Sequence, residues 1–340
     1  MAVLRVIDSG AGTTLQDRGR PGFQRYGVTE GGAMDRWALS EANMLLGNDA
    51  NTAALEMIAV GGRFTIEDHA VMMACSGAEM DLSVDGVPIP WRSSFQVQPD
   101  QIVEIGYARE SVYSYLQVSG GFKVAQVLGS ASTHSRSSFG GFKGRALQAG
   151  DRLSVCAGSK DAMRLPEKLP KPDYLDKTII RITWGTQAAV FSHEVKDALL
   201  QSEFRVSTQR DRMGARLDTD AGSLAAAGGL SGVSDAVLIG DIQVAGDGVA
   251  TVLLADRQPT GGYPRIATVI TADIDAISQM PGGRAFRFKL VTIDEAVEAL
   301  RVQRQSLDAL PGLLTNVTRH PDDIADLLSY NLIDGVVKAQ

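Results

Sequence analysis

The densest group of side chains able to do chemistry in this 340-residue chain is Thr13-Thr14-Leu15-Gln16-Asp17-Arg18-Gly19-Arg20-Pro21-Gly22. Arg18 and Arg20 offer planar donor forks for a carboxylate or phosphate, with Asp17 and Gln16 beside them. The same residues could instead close a surface loop through ion pairs between Asp17 and an arginine, so the loop reads as a binding element or a brace. A second loop, Glu30-Gly31-Gly32-Ala33-Met34-Asp35, runs into a helical pattern. Amides at a helix start attract anions, but Asp35 is also the residue type that caps a helix, and capping is the simpler role. In the third loop, 255–264, Asp256 ends an apolar run, Thr260-Gly261-Gly262 would let backbone amides approach a ligand, and Tyr263 adds an aromatic wall. A tight inter-strand loop would use the same residues. His134 lies among hydroxyls in 130–138 and can switch charge near neutrality, yet it has no acidic neighbour in sequence and reads as a loop histidine.

Several functional classes lose support. The chain has no Walker A pattern, no G-x-G-x-x-G after a strand and no G-x-S-x-G elbow. Its four histidines and two cysteines, Cys75 and Cys156, have neither metal-ligand nor disulfide spacing, and both cysteines read as small buried hydrophobes. With 33 Lys+Arg against 40 Asp+Glu, the formal net charge of −7 and the scatter of basic residues argue against nucleic acid. Small molecules or another protein are the expected partners. The longest apolar run, 70–75, is far short of the roughly 20 residues a membrane span needs. The N-terminal residues lack a secretory pattern, so a cytoplasmic location is expected.

The elements that must position these loops read as mainly β. Glycine is abundant at 36 residues, where the average usage of roughly 7% would give about 24. Paired glycines punctuate short strand-like runs at 63–67, 71–75, 81–84, 102–107 and 112–118, with Asp85-Gly86 a signal for a type I′ hairpin turn. Helical patterns occupy 34–46 and, opened by the capping box Thr292-Ile293-Asp294-Glu295, 292–309. The Pro- and Lys-rich stretch 158–176 reads as a linker between an N-terminal domain, 1–157, and a C-terminal domain, 177–310. The second part resumes strand character at 178–182, 204–208, 237–244, 250–255, 266–270 and 285–290, and 311–340 reads as a helical tail. Gln16-Asp17-Arg18-Gly19 has a faint echo in Arg210-Asp211-Arg212-Met213-Gly214, as if both halves were copies of one unit.

Taken in order, the motifs resemble a known family. Thr13 to Arg20, Gly32-Ala33-Met34-Asp35, Ala54-Leu55-Glu56, Leu128-Gly129-Ser130, Gly144-Arg145-Ala146-Leu147, Asp211-Arg212-Met213-Gly214 with Arg216-Leu217, Ile242-Gln243-Val244 and Asp256 to Pro264 are similar to those of the 5-oxoprolinase C-subunit family. That family is also labelled allophanate hydrolase subunit 2 or biotin-dependent carboxyltransferase. The resemblance runs from about residue 3 to about residue 290. It implies two tandem cyclophilin-like β-barrel domains with a few short helices. It further implies partner subunits of the B and A types, ATP and Mg²⁺ at the level of the complex, and hydrolysis of the small amide 5-oxo-L-proline to L-glutamate. Its other branches imply carboxyl transfer to urea or a related amide, or a non-catalytic regulatory role in which the chain binds its B-type partner. The chain contains no biotinyl Ala-Met-Lys-Met segment, which tilts the expectation to the 5-oxoprolinase branch.

Within that branch, Asp17, Asp35 and Asp256 are expected to serve proton transfer or Mg²⁺ positioning. Arg18 with Arg20 and Arg212 with Arg216 are expected to form forks for phosphate or carboxylate, and Gln16 and Gln243 to hydrogen-bond an amide. Glu56, Arg145, Thr260, Gly261, Gly262 and Tyr263 complete the expected substrate-binding set. No metal ligand is assigned.

Overall fold

The computed structural model describes residues 2–158, 165–226 and 234–317. Four helices, α1 (Arg36–Leu45), α2 (His193–Gln201), α3 (Ile274–Gln279) and α4 (Ile293–Ala309), interrupt a mainly β chain. In the first half a six-stranded sheet, ordered Arg152–Ser154, Val3–Ser9, Val60–Glu67, Ile102–Tyr107, Leu82–Val84 and Val87–Pro88, accompanies a five-stranded sheet of Thr14–Gln16, Ala54–Ile58, Tyr113–Val118, Val71–Gly77 and Ser94–Val97. Alternate residues of both, such as Leu4, Val6, Phe64 and Ile66 from the first and Leu55, Met57, Met73 and Leu116 from the second, share one core. The second half is a closed barrel of seven strands: Ile179–Trp184, Arg265–Val269, Asp241–Val244, Ala250–Leu253, Gly214–Thr219, Phe204–Arg210 and Ala285–Leu290. Its pairs are antiparallel except for Ile179–Trp184 on Ala285–Leu290, which is parallel. The mainly β expectation with a few short helices is met.

Local chemistry explains most of the boundaries. Asp85 and Gly86 both take positive φ, 49° and 77°, as a type I′ turn requires. Asp35 caps α1 by accepting from the Ala38 amide at 2.9 Å, and Thr292 with Glu295 forms both halves of the capping box on α4. The run expected as one strand over 237–244 is broken at Gly240, where φ is 89° and a Cβ would lie 2.7 Å from Ile274 Cδ1. Two short helices escape the sequence pattern. α2 is announced only by Ser192, whose hydroxyl accepts from Val195 N, and α3 is almost wholly buried, without the polar face that gives a helix its period. Cys75 is buried as expected, whereas Cys156 is half-buried.

The domain limits drawn from the sequence remain a proposal. Of the stretch expected as linker, residues 165–176 are packed against the body: Glu167–Lys168 pairs with Thr315–Asn316, and Leu169 and Leu175 are buried. Of the expected helical tail, residues 311–317 contribute to a 3-10 turn and that short strand, while 318–340 lie outside the described residues. The Ala/Gly-rich stretch 221–232 is described only up to Ala226. One hydrophobic cluster joins the halves: Met34, Ala38, Leu39, Ala42 and Tyr115 share it with Leu217 and Ile242 of the barrel strands, Ala255 just beyond Ala250–Leu253 and Ile277 of α3. α1 is the wedge between them. No helix among the described residues is long and apolar enough to cross a membrane.

Candidate functional site

Arg212, from the turn opening the barrel strand Gly214–Thr219, places its guanidinium where the two halves meet. Nε and Nη2 donate to the two oxygens of Asp256 at 2.8 and 3.0 Å, Nη2 also donates to Gly32 O at 2.7 Å, and Nη1 donates to Glu56 Oε1. The other Glu56 oxygen accepts from Tyr115 Oη at 2.7 Å and from Met34 N at 2.8 Å. Burial works against the charge of Arg212, but Asp256 and Glu56 outweigh it and hold the guanidinium well above its ordinary pKa. Two carboxylates from different halves thus flank one permanently charged arginine.

Beside this centre the loops 13–20 and 130–141 interlock. Asp17 is buried and saturated: Oδ1 accepts from Gly19 N at 2.7 Å, Ser130 Oγ at 2.6 Å and Ser132 Oγ at 2.5 Å, and Oδ2 from Ala131 N at 2.6 Å. Gln16 Nε2 donates to Thr133 O at 3.2 Å and Arg20 Nη2 to the adjacent Ser132 O at 2.5 Å. Gln16 Oε1, Arg20 Nη1 and Thr133 Oγ1 are buried with no protein partner among the described residues. The Arg20 guanidinium stacks 4.9 Å from the Phe139 ring, which itself lies parallel to His134 at 5.0 Å. His134 Nδ1 accepts from Ser137 N at 3.3 Å, which leaves Nε2 to donate to Thr29 Oγ1 at 3.1 Å. Burial lowers the pKa of His134, which favours the neutral ring.

Gly31 sits between Arg20 Nη1 and the Arg212 centre. A Cβ there would be 3.3 Å from Arg20 Nη1 and 3.5 Å from Asp256 Oδ1, and φ is +61°. The positive φ favours glycine. The loops singled out in the sequence, 13–22, 30–35, 130–138, 210–214 and 255–264, therefore meet around the junction of the two halves.

Not every expected role survives this geometry. Arg18 and Arg20 form no fork: Arg18 is exposed and donates to Ser40 Oγ at 3.2 Å, while Arg20 points inward. Arg216 also stands apart from Arg212 and pairs with Asp247 at 3.4 Å near the surface. Alternation along the strand Gly214–Thr219 and the turn before it separates them. Asp17 with four donors is a brace rather than a base, and Asp35 is the α1 cap, also held by Tyr174 Oη at 2.5 Å and Gln279 Nε2 at 2.7 Å. Arg145 is committed to Asp151 through two bonds of 2.7 and 2.8 Å. Gln243 holds Tyr263 O at 3.3 Å and Gln258 at 3.4 Å, Thr260–Gly261 pairs with Asp235–Ala236, and Tyr263 is half-exposed, so this group stabilises its own loop. The faint internal echo has a physical counterpart: Asp17 accepts from Gly19 N, and Asp211 from Met213 N at 2.7 Å, the same two-residue side-chain turn.

Sequence reasoning missed Tyr115, Thr29, Thr133 and Phe139, and undervalued His134. A hydroxyl run, Ser130-Ala131-Ser132-Thr133, preceding that histidine was the available signal; Tyr115 lies in a strand buried on both faces and gave none. Among the described residues no three His, Cys, Asp or Glu side chains converge as a metal site. The expected aspartates are each committed to protein donors, so the donor set does not fit Mg²⁺ and no step is assigned to it.

The comparisons with known proteins agree with this architecture. The family model described as "Carboxyltransferase domain, subdomain A and B" matches residues 26–290. A protein of Haemophilus influenzae named as the C subunit of 5-oxoprolinase is 35% identical over 311 residues, covering 91% of this chain and 97% of that one. Its namesake from Escherichia coli is 35% identical over 317 residues, covering 92% and 99%. A putative urea carboxylase of Emericella nidulans is 30% identical over 313 residues, but the match spans 25% of that longer protein. The crystal structure of TTHA0988 superposes with a TM-score of 0.75 at 29% identity, over 85% of this chain and 55% of that one. A match over most of the chain, on a fold whose motif-bearing loops meet at the junction of the halves, places this chain in the carboxyltransferase domain family, subdomains A and B.

Proposed function

We propose that this chain is the C subunit of an ATP-dependent 5-oxoprolinase, acting with its B and A partners to open 5-oxo-L-proline to L-glutamate. The observation that carries this reading is the near full-length match, on both sides, to relatives named as the C subunit of 5-oxoprolinase. The site chemistry supports it. A lactam carries one N–H donor, one carbonyl acceptor and, in this substrate, a carboxylate. Gln16 Oε1 is a free acceptor, and Arg20 Nη1 and Thr133 Oγ1 are free donors in a buried setting. An amide resists hydrolysis because its C–N bond is resonance-stabilised. Transfer of the ATP γ-phosphoryl group to the lactam oxygen would release ADP; water attack on the activated carbon followed by ring C–N cleavage would leave γ-glutamyl phosphate, and a second water would then release phosphate and L-glutamate. In this chain Arg20 would hold the carboxylate or developing oxyanion, and Gln16 the ring N–H. Asp256, oriented by Arg212, lies across Gly31 from Arg20.

Replacing Gln16 with Leu tests the assignment. The account expects kcat/KM for 5-oxo-L-proline in the assembled complex to fall more than tenfold, about 1.4 kcal/mol or more, in a variant that still folds and assembles although Thr133 O loses its donor. Unchanged kcat/KM would remove Gln16 from the site.

The second reading, carboxyl transfer to urea or a related amide, is favoured by the family's description and by the urea carboxylase relative. It would require a biotinylated donor supplied by a partner. Urea-dependent discharge of such a donor would support it.

A further inference from the structure

A separate cavity of about 870 Å³ opens where α1, the segment around Tyr174 and α4 meet, with Trp37, Tyr174, Val302 and Leu310 in its walls and Glu41 in its lining. Its volume is in the range of small-molecule sites. The Glu41 side chain is only 1% exposed. Oε1 accepts from Trp37 Nε1 at 2.8 Å and from Arg92 Nη2, but Oε2 has no donor among the described residues. Arg92 does not supply one, since its Nε is turned to Pro170 O at 2.9 Å and its Nη1 is itself unpaired. Buried carboxylate oxygens are rarely left without a donor.

Of the other charges in the wall, Lys177 and Arg181 share the single carboxylate of Asp273, each at 2.7 Å, and Lys171 pairs with Asp176 at 2.9 Å, so none of the three is directed at Glu41, whose one ion-pair partner among the described residues is Arg92, through Oε1. The rings of Trp37 and Tyr174, 5.7 Å apart and tilted by 51°, pack on each other in the wall and give it an aromatic surface of the kind that attracts cations.

We propose that this cavity is a binding site for a small organic cation, an ammonium or amidinium group on an apolar body, whose N–H donates to Glu41 Oε2 beside the Trp37 and Tyr174 pair. The proposal is independent of the activity inferred above. Its occupant would touch Tyr174, the side chain that holds Asp35 at the start of α1.

Calorimetric titration of the full chain with benzamidine, and with phenylacetate as a control of similar body and opposite charge, tests the site. Saturable benzamidine binding is expected, weakened at least tenfold by Glu41→Gln and by Val302→Arg, with no binding of phenylacetate. Val302 is half-exposed on α4, so its variant folds even if Glu41→Gln does not, and it then decides alone. Absence of saturable binding at millimolar benzamidine, equal binding of phenylacetate, or affinity unchanged in the folded variants would each overturn the proposal.

Discussion

Arg212 shows how much of the site depends on one side chain. It satisfies Asp256, Glu56 and the Gly32 carbonyl together, and these lie up to 180 residues away in the chain. Arg212→Leu would leave two buried carboxylates uncompensated, and a loss of about 3–5 kcal/mol is expected in urea unfolding. Asp17→Ala should likewise act on stability, because four donors lose their acceptor at once. A variant that keeps its unfolding midpoint but loses turnover would return Asp17 to a catalytic role. Residue types were legible from the sequence, since Arg, Asp and Gln in glycine-bracketed loops announced polar chemistry at the right places. Their partners were not. Whether Arg20 pairs with Arg18 in a fork or turns inward to the Ser132 carbonyl depends on which loop packs against it, and that loop is more than a hundred residues away.

At the scale of elements, the start of α1 is a titratable joint. Asp35 is buried against Tyr174, Gln279 and Tyr115, with Asp275, Arg36 and Arg92 around it, and burial reinforced by Asp275 raises its pKa to about 7. A raised carboxyl favours the protonated form in the fold. Its contribution to stability is therefore complete below the ordinary carboxyl value near 4 and is lost as pH rises towards 7. Asp35→Asn keeps a capping side chain and should flatten the melting temperature between pH 4 and 7 relative to the parent chain. Parallel profiles for the two proteins would contradict this. Local rules made α1, α4 and the Asp85-Gly86 hairpin readable, because caps and turns are written in adjacent residues. They could not reveal α3, which is buried on nearly all sides, or the break at Gly240, which is imposed by Ile274 from another element.

For the whole molecule, the hydrophobic cluster shared by α1 and the barrel makes the two halves one cooperative unit. A single calorimetric transition is expected, and two resolved transitions would show that the halves fold separately. Glycine punctuation and strand spacing were enough to read a mainly β chain. The paired, barrel-like plan came from the resemblance alone, because strand order is set by contacts between distant segments. The central claim concerns chemistry that this chain performs in company, so the most direct measurement is ATP consumption by the chain co-purified with its B and A partners, with and without 5-oxo-L-proline. The account predicts ATP hydrolysis that depends strictly on 5-oxo-L-proline and is matched by the appearance of L-glutamate. A stable complex that consumes no ATP in response to 5-oxo-L-proline would contradict it.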